Sequence, residues 1–504
     1  MGLSTLLACI VVTVITVHAV HVLLKYKRRK VSCASLPLPP GPFKLPLIGN
    51  AVYFFVELSH NPHRALARLA EKHGPITSLQ PGIARMNFVV VSSPAAAREA
   101  IAGNDVAVAA RWVPDSARAR AHSAGSPFFL PSSNPLWKQH RGTISAHISS
   151  GRSLDATRPI RDRHARQLAE HVRARSGRPV AVGQVVFGAM INAVSNILFS
   201  EDMVDLRVEW GKEYKEMMVA IAEGWGKPNV SDAFPFLAPF DLFGQRRCVS
   251  RNLAKLYKIF DGEFVERRLA SGAKHGDLLD AVLERHANSQ LTREQISKLF
   301  TDIFLAGTDT STITVEWAMV RLLRHPDKME KVRAELAANL GSKDFVEESD
   351  LGKLPYLHAV VKETMRLHPS LPLVPREVVA DGVSLGGFAM PRGTCIVINL
   401  WAIGRDPTAW PEPEEFMPER FLGDQVVHFR GSDFTFAPFG GGRRVCPGMD
   451  MAIRFVPLVL ASILHKIEWR MPNGMVPEDV DLRDHCSTVM EPATHLRAIP
   501  VSTV

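Results

Sequence analysis

The sequence has few cysteines and no pattern that would join them. Only six occur among 504 residues, and no two form a C-x-x-C pair. This argues against a disulfide framework and against a zinc knuckle, and it favours a reducing compartment. Internal repeats and low-complexity stretches are also absent from the sequence. The hydrophobic content of 46% and the charged content of 22% are those of a globular protein, which excludes wholesale disorder.

Excess charge is small outside one short segment. The net charge is +9, and five of these charges come from a cluster without a nearby acid: Lys25, Lys27, Arg28, Arg29 and Lys30. The rest of the chain therefore carries only +4, which is too little to indicate binding to nucleic acid. We expect no nucleic-acid partner.

A long run without formally charged side chains precedes that cluster. It extends from Leu3 to Leu24 and is long enough to cross a bilayer as one helix. The basic residues follow the apolar run, which is the reverse of their order in a secretory signal. By the positive-inside rule, everything after the run lies in the cytosol. We predict a transmembrane anchor at 1–24, a basic and proline-rich hinge at 25–46, and one folded domain at 47–504.

The apolar pattern beyond the hinge is mainly helical. It is helical from about residue 135 to 375 and again over Met449–Ile467. Short β-like runs occur at Phe88–Val91 and within residues 375–435. We therefore predict a mainly α fold with small β-sheets.

One predicted helix is unusually long. It begins at a capping box, Thr292–Gln295, and ends at His325–Pro326, which gives a length of roughly 50 Å. Its acidic residues argue against a membrane span: Asp302, Asp309 and Glu316. We expect this helix to cross the middle of a large helical body.

The first chemical motif surrounds one cysteine: Phe439-x-x-Gly442-x-Arg444-x-Cys446-x-Gly448. Its glycines allow positive φ angles and close approach of the backbone to a flat ligand. Cys446 lies just before a predicted helix, whose free N–H groups and dipole lower the pKa of a thiol. Arg444 is suited to pair with a ligand carboxylate. A phosphate-binding loop is the alternative, but the Lys-Ser/Thr pair that it requires is absent.

The second motif, Ala306–Ser311, lies in the middle of the long helix. Gly307 is costly in a helix interior, and the hydroxyl residues around it compete for backbone carbonyls. A helix opened locally at this point would have a small polar groove. Asp309 and Thr310 are then placed to donate protons through water as general acids. By itself, the motif is equally compatible with a structural kink.

The third motif contains charges at helical spacing. Glu363 and Arg366 are three residues apart, so they share one helix face. Phe416–Phe421 follows at a distance along the chain and contains Arg420. Alone, such spacing is more often a solvated surface pair.

Together these motifs resemble those of the cytochromes P-450, and the resemblance extends from the anchor to the C-terminal part. The segments Trp401–Pro407 and Ala437–Gly440 resemble plant microsomal members of the family. Leu198–Met203 and Phe234–Leu242 resemble the plant group of monoterpenol hydroxylases and diterpenoid oxidases. The resemblance implies the P-450 fold, preceded by one N-terminal transmembrane helix.

It also implies a cofactor, haem b, whose iron is ligated by the thiolate of Cys446. Asp309 and Thr310 would guide protons, and a buried ionic cluster of Glu363, Arg366 and Arg420 would fix the loop that carries the cysteine. The other family positions implied to contact the haem are Trp137, Arg141, Arg376, Phe439, Arg444 and Gly448, with Arg111 as a looser match.

By family position, the substrate pocket is lined by apolar residues, although ordinary core packing is the alternative for each: Phe304, Ala306, Val374, Val489 and Met490. The implied activity is a monooxygenase that hydroxylates a lipophilic small molecule, with a terpenoid preferred over a fatty acid or a phenylpropanoid. A non-enzymatic membrane haem protein or lipid-binding protein stays open, as does an isomerase that works without oxygen. The pair Asp309 and Thr310 favours the monooxygenase.

The implied partners follow from this activity. They are an NADPH-cytochrome P-450 reductase, the lipophilic substrate and membrane lipid. The implied location is the endoplasmic reticulum membrane, with one span and the catalytic domain in the cytosol. The reductase is expected to dock on the basic side near Cys446, where Lys138, His140 and Arg443 are candidate contacts.

Overall fold

A computed structural model describes residues 36–503, except 47, 83–86, 206–210, 424–428 and 430–433. The predicted anchor at 1–24 and the basic cluster after it lie outside the described residues. The proline-rich segment is extended along the folded body, because Ser78 donates to the carbonyls of Pro39 and Pro40 and the Ala389 N–H donates to that of Pro37.

The body is mainly helical, as predicted. Short 3-10 segments occur at Asp115–Ala124, Pro235–Phe240, Glu348–Lys353, Pro418–Phe421, Gly442–Arg444, Pro472–Gly474 and Pro477–Asp479, and π-helical turns at Glu99–Gly103, Ser145–Ser149 and Ile259–Glu266. The α-helices in chain order are α1 (Ala51–Val56), α2 (Pro62–His73), α3 (Pro94–Arg98), α4 (Pro135–Ile144), α5 (Gly151–Arg173), α6 (Val182–Phe199), α7 (Gly211–Gly226), α8 (Val230–Ala233), α9 (Gln245–Lys258), α10 (Arg267–Ser271), α11 (Leu278–Ala287), α12 (Arg293–Arg324), α13 (Pro326–Leu340), α14 (Pro355–Leu367), α15 (Leu400–Ile403) and α16 (Met449–Leu464).

The strands form small sheets at the edges of the helical body. They are β1 (Ile76–Leu79), β2 (Phe88–Val91), β3 (Val180–Ala181), β4 (Leu373–Glu377), β5 (Val383–Leu385), β6 (Phe388–Met390), β7 (Cys395–Asn399), β8 (Ile467–Arg470), β9 (Asp484–Cys486), β10 (Met490–Pro492) and β11 (Arg497–Ser502). In the largest sheet the order is β1-β2-β7-β4, with β2 parallel to β7 and the other pairs antiparallel. Val90 pairs with Val397, and Arg376 pairs with Ile396. The smaller sheets have the orders β3-β11-β8, β9-β10 and β5-β6.

The long helix α12 crosses the centre of the body, and its predicted start is confirmed. Thr292 accepts from the Gln295 N–H, and the Gln295 side chain accepts from the Thr292 N–H, which completes the capping box. The helix ends before Pro326. Most of its side chains are buried because it packs against α6, α14 and α16.

Helix α6 is strongly apolar, and helix α16 is shorter than predicted. Among the described residues, α6 alone is long and apolar enough to cross a membrane, but 89% of it is buried inside the protein, as in a core helix. The predicted helix over Met449–Ile467 ends earlier, at Leu464. Lys466 has φ of +58° and turns the chain into β8, where Ile467 pairs with Ser502.

Candidate active site

Cys446 lies in a glycine-rich loop immediately before helix α16. Gly440 and Gly442 have φ of +69° and +63°, a conformation that residues with a Cβ rarely adopt. A Cβ at Gly442 would also lie 2.4 Å from Oδ1 of Asp105. The Cys446 N–H donates to the Phe439 carbonyl at 3.0 Å. The loop thus closes on itself and presents the thiol at the start of α16.

Opposing effects act on the thiol of Cys446. Hydrogen bonds from the backbone N–H groups of Gly448 and Met449, together with the charges of Arg141 and Arg111, favour the thiolate. Burial acts in the other direction and is the largest cause, so the pKa of Cys446 is raised above its ordinary value. The backbone N–H groups at the helix start lower the pKa of this thiol, as predicted, but burial outweighs them.

The surroundings of two other cysteines differ from those of Cys446. Cys395 is fully buried in β7, and both burial and the carboxylates of Glu377 and Asp232 raise its pKa. Cys486 is buried against Trp401, and burial again raises its pKa. Among the residues that the structure describes, the charged groups acting on these two thiols are carboxylates, which disfavour a thiolate.

Arginines from separate parts of the chain converge near Cys446. Burial, followed by the charges of Arg111 and Arg444, holds the pKa of Arg376 well below its usual range. Burial, followed by Arg111 and Arg141, lowers the pKa of Arg444 to about 9. Within the part of the chain that the structure describes, these arginines form no ion pair with a carboxylate. They form a cluster of mutually repelling cations.

Several hydrogen-bond donors of this arginine cluster are unpaired. Nε and Nη1 of Arg111 and Nη1 of Arg376 are buried and have no hydrogen-bond partner among the described residues. Such unpaired donors cost free energy unless a ligand satisfies them. Haem carries propionate carboxylates, and the planar guanidinium suits bidentate binding of carboxylate. The residues around Cys446 therefore fit the haem that the sequence resemblance implies.

Arg444 and Trp137 join this cluster to the rest of the fold. Arg444 donates to the carbonyls of Ala109 at 2.7 Å, Pro127 at 3.4 Å and Leu130. Its guanidinium also lies 4.7 Å from the centre of the Trp137 ring. As predicted, Trp137 and Arg141 share helix α4, with the guanidinium 5.7 Å from the ring centre.

The two residues predicted to donate protons lie together on α12. Asp309 is almost fully buried, and its Oδ1 has no partner among the described residues. Burial raises its pKa to about 6, with Lys215 acting in the opposite direction. A carboxyl group with this pKa exchanges protons near neutral pH, as a general acid must.

Helix α12 is unbroken through this motif, so the predicted local opening is absent. The Thr310 hydroxyl donates to the carbonyl of Ala306 at 2.6 Å, and Thr314 donates to that of Thr310 at 2.8 Å. Each hydroxyl donates to a carbonyl of the preceding turn, and the backbone hydrogen bonds of the helix are kept.

The predicted ionic cluster is confirmed. Arg366 donates to Glu363 through Nε at 2.6 Å and Nη2 at 2.7 Å, and neither side chain is exposed to solvent. Arg420 approaches the same carboxylate at 3.4 Å. Arg366 also donates to the carbonyls of Gly404 at 2.6 Å and Pro413 at 2.7 Å.

The residues predicted for the pocket wall differ in their exposure to solvent. Ala306 is exposed, and Val489 is partly exposed. Phe304 is 1% exposed and stacks on Phe199, and Met490 has no exposed surface. For Phe304 and Met490 the structure favours core packing, the alternative that the sequence left open. Val374 is 8% exposed.

His140, a predicted docking residue, is buried and uncharged. His140 is fully buried, and burial lowers its pKa to about 4, so it carries no charge at neutral pH. Its Nε2 hydrogen-bonds the Gly125 carbonyl at 3.2 Å. Lys138 is exposed, and Arg443 is paired with Asp105 at 2.9 Å.

A buried polar network beside the site was not predicted. Asp302 accepts hydrogen bonds from Ser126 and His122, which lie more than one hundred residues earlier in the chain. The sequence offered one indication, a carboxylate on a helix that should be buried, since such a group needs donors. It did not indicate where those donors are.

Comparison with known proteins agrees with this geometry. A model of the Cytochrome P450 family matches residues 39–496. Ent-cassadiene C11-alpha-hydroxylase 1 of Oryza sativa subsp. japonica is 44% identical over 92% of this chain and 93% of its own length. Geraniol 8-hydroxylase of Catharanthus roseus is 39% identical over 92% of this chain and 94% of its own length. Members of this family generally use a redox partner and a lipophilic substrate. The chain belongs to the cytochrome P450 family and is a haem-thiolate monooxygenase.

Proposed function

We propose that this enzyme hydroxylates a terpenoid and that Cys446 is the ligand of its haem iron. The observation that carries the assignment of Cys446 is the cluster of unpaired arginines around it. The substrate class rests on the relatives, because geraniol is a terpene alcohol and ent-cassadiene a diterpene. The hydroxylases named for these two compounds each align with 92% of this chain.

The arginine cluster and the thiol would bind the haem jointly. The free donors of Arg111 and Arg376 would bind the propionates, and this negative charge would offset the mutual repulsion of the guanidinium groups. The N–H groups of Gly448 and Met449 would stabilise the ligand sulfur. When bound, the haem supplies the oxygen chemistry, as cofactors generally do.

Asp309 and Thr310 would deliver protons from the long helix. The carboxyl of Asp309 is poised by its raised pKa to hold a proton and release it near neutral pH. Oδ1 is buried and has no described partner, so it is available to an ordered water. The Thr310 hydroxyl, which donates to Ala306, keeps its lone pairs free to accept from such a water.

The substrate pocket would have apolar walls. Ala306 on α12, Val374 on β4 and Val489 before β10 are the candidates, and none of them offers a polar group for recognising a sugar or a phosphate. Such walls bind a hydrocarbon through its apolar surface. This supports a lipophilic substrate, and among such substrates the relatives favour a terpenoid over a fatty acid or a phenylpropanoid.

An exposed apolar patch supports attachment to the endoplasmic reticulum membrane. It combines the start of the described chain with a segment two hundred residues later, since the rings of Phe55 and Phe243 lie 6.2 Å apart. Clusters of exposed apolar side chains on a protein surface mark interaction sites. The large exposed side chains of the two segments are Phe43, Leu45, Ile48, Val52, Val56, Phe236, Phe240, Leu242 and Phe243.

The patch would lie on the bilayer beside the predicted anchor at 1–24 and leave the catalytic domain in the cytosol. There an NADPH-cytochrome P-450 reductase would supply electrons. Among the predicted contacts for the reductase, Lys138 is the remaining free cation. It is exposed on α4, one residue from Trp137.

The decisive experiment is a product screen. Microsomes containing this protein and the reductase are supplied with terpenes, fatty acids and phenylpropanoids, with and without NADPH. We expect hydroxylated terpenes that depend on NADPH and oxygen, and none from the matched variant Cys446→Ser. Turnover without NADPH would instead indicate an isomerase, and haem without turnover of any compound would indicate a binding protein. Products from fatty acids alone would refute the terpenoid assignment.

A further inference from the structure

A tyrosine, a histidine and a carboxylate form a row of hydrogen bonds across the helical body. The Tyr257 hydroxyl on helix α9 lies 2.6 Å from Nδ1 of His122. Nε2 of the same ring lies 2.9 Å from Oδ1 of Asp302 on helix α12. Because a carboxylate can only accept, Nε2 carries a proton, and Nδ1 of the neutral ring accepts from the tyrosine. The hydrogen bonds therefore run in one direction, from the phenol to the carboxylate.

The acceptor of the Tyr257 hydroxyl sets this residue apart from the other tyrosines. The chain has five tyrosines in all. Tyr53 donates to the carbonyl of Ala65, and Tyr356 donates to the carboxylate of Glu419 at 3.1 Å. Of the tyrosines that the structure describes, only Tyr257 donates to an imidazole. An imidazole is a better base than a carbonyl or a carboxylate, so this is the hydroxyl whose proton has a place to go.

The imidazole matters because of how a phenol is oxidised. Loss of one electron makes the phenol proton strongly acidic, so oxidation proceeds readily only where a base already touches the hydroxyl. Burial, followed by the charge of Asp302, raises the pKa of Tyr257. The phenol therefore keeps its proton until the electron leaves, and the proton then moves along the existing hydrogen bond to Nδ1 of His122.

The positive charge that would arise on His122 has a counter-ion in place. Asp302 is 7% exposed, and its Oδ2 accepts from the Ser126 hydroxyl and from the Phe128 N–H at 3.0 Å. Among the described residues, no lysine or arginine forms an ion pair with it. A protonated His122 would complete a buried ion pair, and such charge-assisted hydrogen bonds are roughly twice as strong as neutral ones.

An indole connects this row with the arginine cluster. The ring of Trp225 on helix α7 stacks on His122 with 5.2 Å between centres and on Phe128 with 6.3 Å. Phe128 in turn lies 4.2 Å from the guanidinium of Arg111, which acts on the thiol of Cys446. Nε1 of Trp225 is buried and has no described hydrogen-bond partner. An oxidised indole there has no base for its proton, so it can pass the charge on but cannot hold it as a neutral radical.

We propose that Tyr257 is a redox-active tyrosine that takes an unused oxidising equivalent from the haem site through Trp225. The inference rests on the proposed function, because it takes the haem at Cys446 to be the oxidant. Such an equivalent remains whenever oxygen is activated without a substrate. The row ends near solvent, since Tyr257 is partly exposed while His122 has no exposed surface, so a water-soluble reductant can reach the tyrosine.

Electrons and protons balance in this step. The oxidised haem site gains one electron, which Tyr257 loses. The phenol O–H bond breaks, and a new N–H bond forms at Nδ1 of His122, which leaves a neutral tyrosyl radical beside an imidazolium. Ascorbate, itself oxidised by one electron, then reduces the radical. The proton returns from His122, and the starting state is restored.

The test is freeze-quench EPR of the substrate-free, haem-loaded enzyme mixed with a peracid, which oxidises the haem site without the reductase. We expect a tyrosyl signal that is lost in Tyr257→Phe and kept in the matched variant Tyr356→Phe. Replacement of Tyr257 by 3-fluorotyrosine keeps both ring and hydroxyl, so folding is preserved, and the fluorine should split the signal. A tyrosyl signal that this fluorine leaves unsplit, or the absence of any tyrosyl signal, would overturn the proposal.

Further variants test the proton acceptor and the relay. After exchange into heavy water, the radical should couple to a deuteron held by His122, and His122→Gln should lose this coupling. Trp225→Phe should lower the yield of the radical. Trp410→Phe, which removes another indole without a partner at Nε1, should leave the yield unchanged. Equal yields in the two tryptophan variants would refute the relay.

Loss of this exit should also shorten the life of the enzyme. With NADPH and the reductase but no substrate, the haem absorbance of Tyr257→Phe should decay faster than that of the wild type and of Tyr356→Phe. Equal decay would refute the role of Tyr257 as an exit for the unused equivalent.

Failure of the proposed function would give a different result. A wild-type enzyme without the thiolate carbon monoxide band would refute the assignment of Cys446. Flash oxidation with a ruthenium tris-bipyridine complex needs no haem, so it tests the pair of Tyr257 and His122 separately. The fluorine-split radical should form under the flash as well, and its absence would refute the redox-active tyrosine.

Discussion

Removing the carboxylate of Glu363 should destabilise the enzyme by a measurable and predictable amount. Glu363 is fully buried, and it accepts from Arg366 through two bonds and from the Met417 N–H at 2.8 Å. Glu363→Ala leaves the guanidinium of Arg366 buried without a counter-ion. Breaking a buried pair in this way costs about 3–5 kcal/mol.

The expected shift in melting temperature follows from the size of the protein. For 504 residues, the entropy of unfolding is about 1 kcal/mol per kelvin if the chain melts as one unit. The variant should therefore melt about 3–5 K below the wild type. The assay is calorimetry of the haem-loaded enzyme at one scan rate, because irreversible unfolding makes the midpoint depend on that rate.

A matched control separates burial from pairing. Glu266 pairs with Arg293 at 3.1 Å, but its side chain is 61% exposed, so Glu266→Ala should lower the midpoint by less than about 1 K. The reasoning fails if Glu363→Ala melts within 1 K of the wild type. It also fails if Glu266→Ala lowers the melting midpoint as much as Glu363→Ala does.

Further predictions concern the cysteine loop, the proton donors and the reductase. Cys446→Ser should abolish the red-shifted absorption band of the ferrous carbon monoxide complex, while Cys395→Ala should keep it; a band in the first variant would contradict the ligand assignment. Thr310→Ala should retain haem but lower product formed per NADPH at least about tenfold, with peroxide in its place; unchanged coupling would count against its role. Because the Asp309 pKa is raised to about 6, its carboxyl is protonated below that pH and loses its proton as pH rises. The coupling of NADPH use to product formation should therefore fall as pH rises through about 6. Asp309→Asn should show no such pH dependence. Lys138→Glu should raise the KM for the reductase about threefold, and more at low salt, and an unchanged KM would exclude this face.

Features set by neighbours in sequence were predictable. The capping box at Thr292 needs only a residue three positions away, and the pair Glu363 and Arg366 needs one turn of helix. The thiol in front of a helix start was likewise predictable, because the glycines and the following apolar run define that position. Arg420 became predictable only through the family resemblance, since its spacing from Glu363 carries no local rule.

Features set by burial were not predictable. The sequence gives the direction in which backbone N–H groups and the helix dipole shift the pKa of Cys446, but the larger effect of burial depends on the completed fold. The same holds for His140, which looks like a surface cation in sequence and is a buried neutral ring in the structure. Phe304 and Ala306 are two apolar residues of one helix, and only the packing of Phe304 on Phe199 separates core from pocket.

The arginine cluster shows how sequence and burial together identify a site. Taken singly, Arg111, Arg141, Arg376 and Arg444 are as compatible with a solvated surface as with a ligand site, since nothing local distinguishes them. In the fold they depress one another's pKa, which means that their charges destabilise the folded protein when nothing negative lies among them. A bound anionic ligand would compensate for such repulsion, because a group that binds the folded state alone adds its binding free energy to stability. A thiol flanked by unpaired cations is therefore stronger evidence for an anionic cofactor than any single residue of the motif.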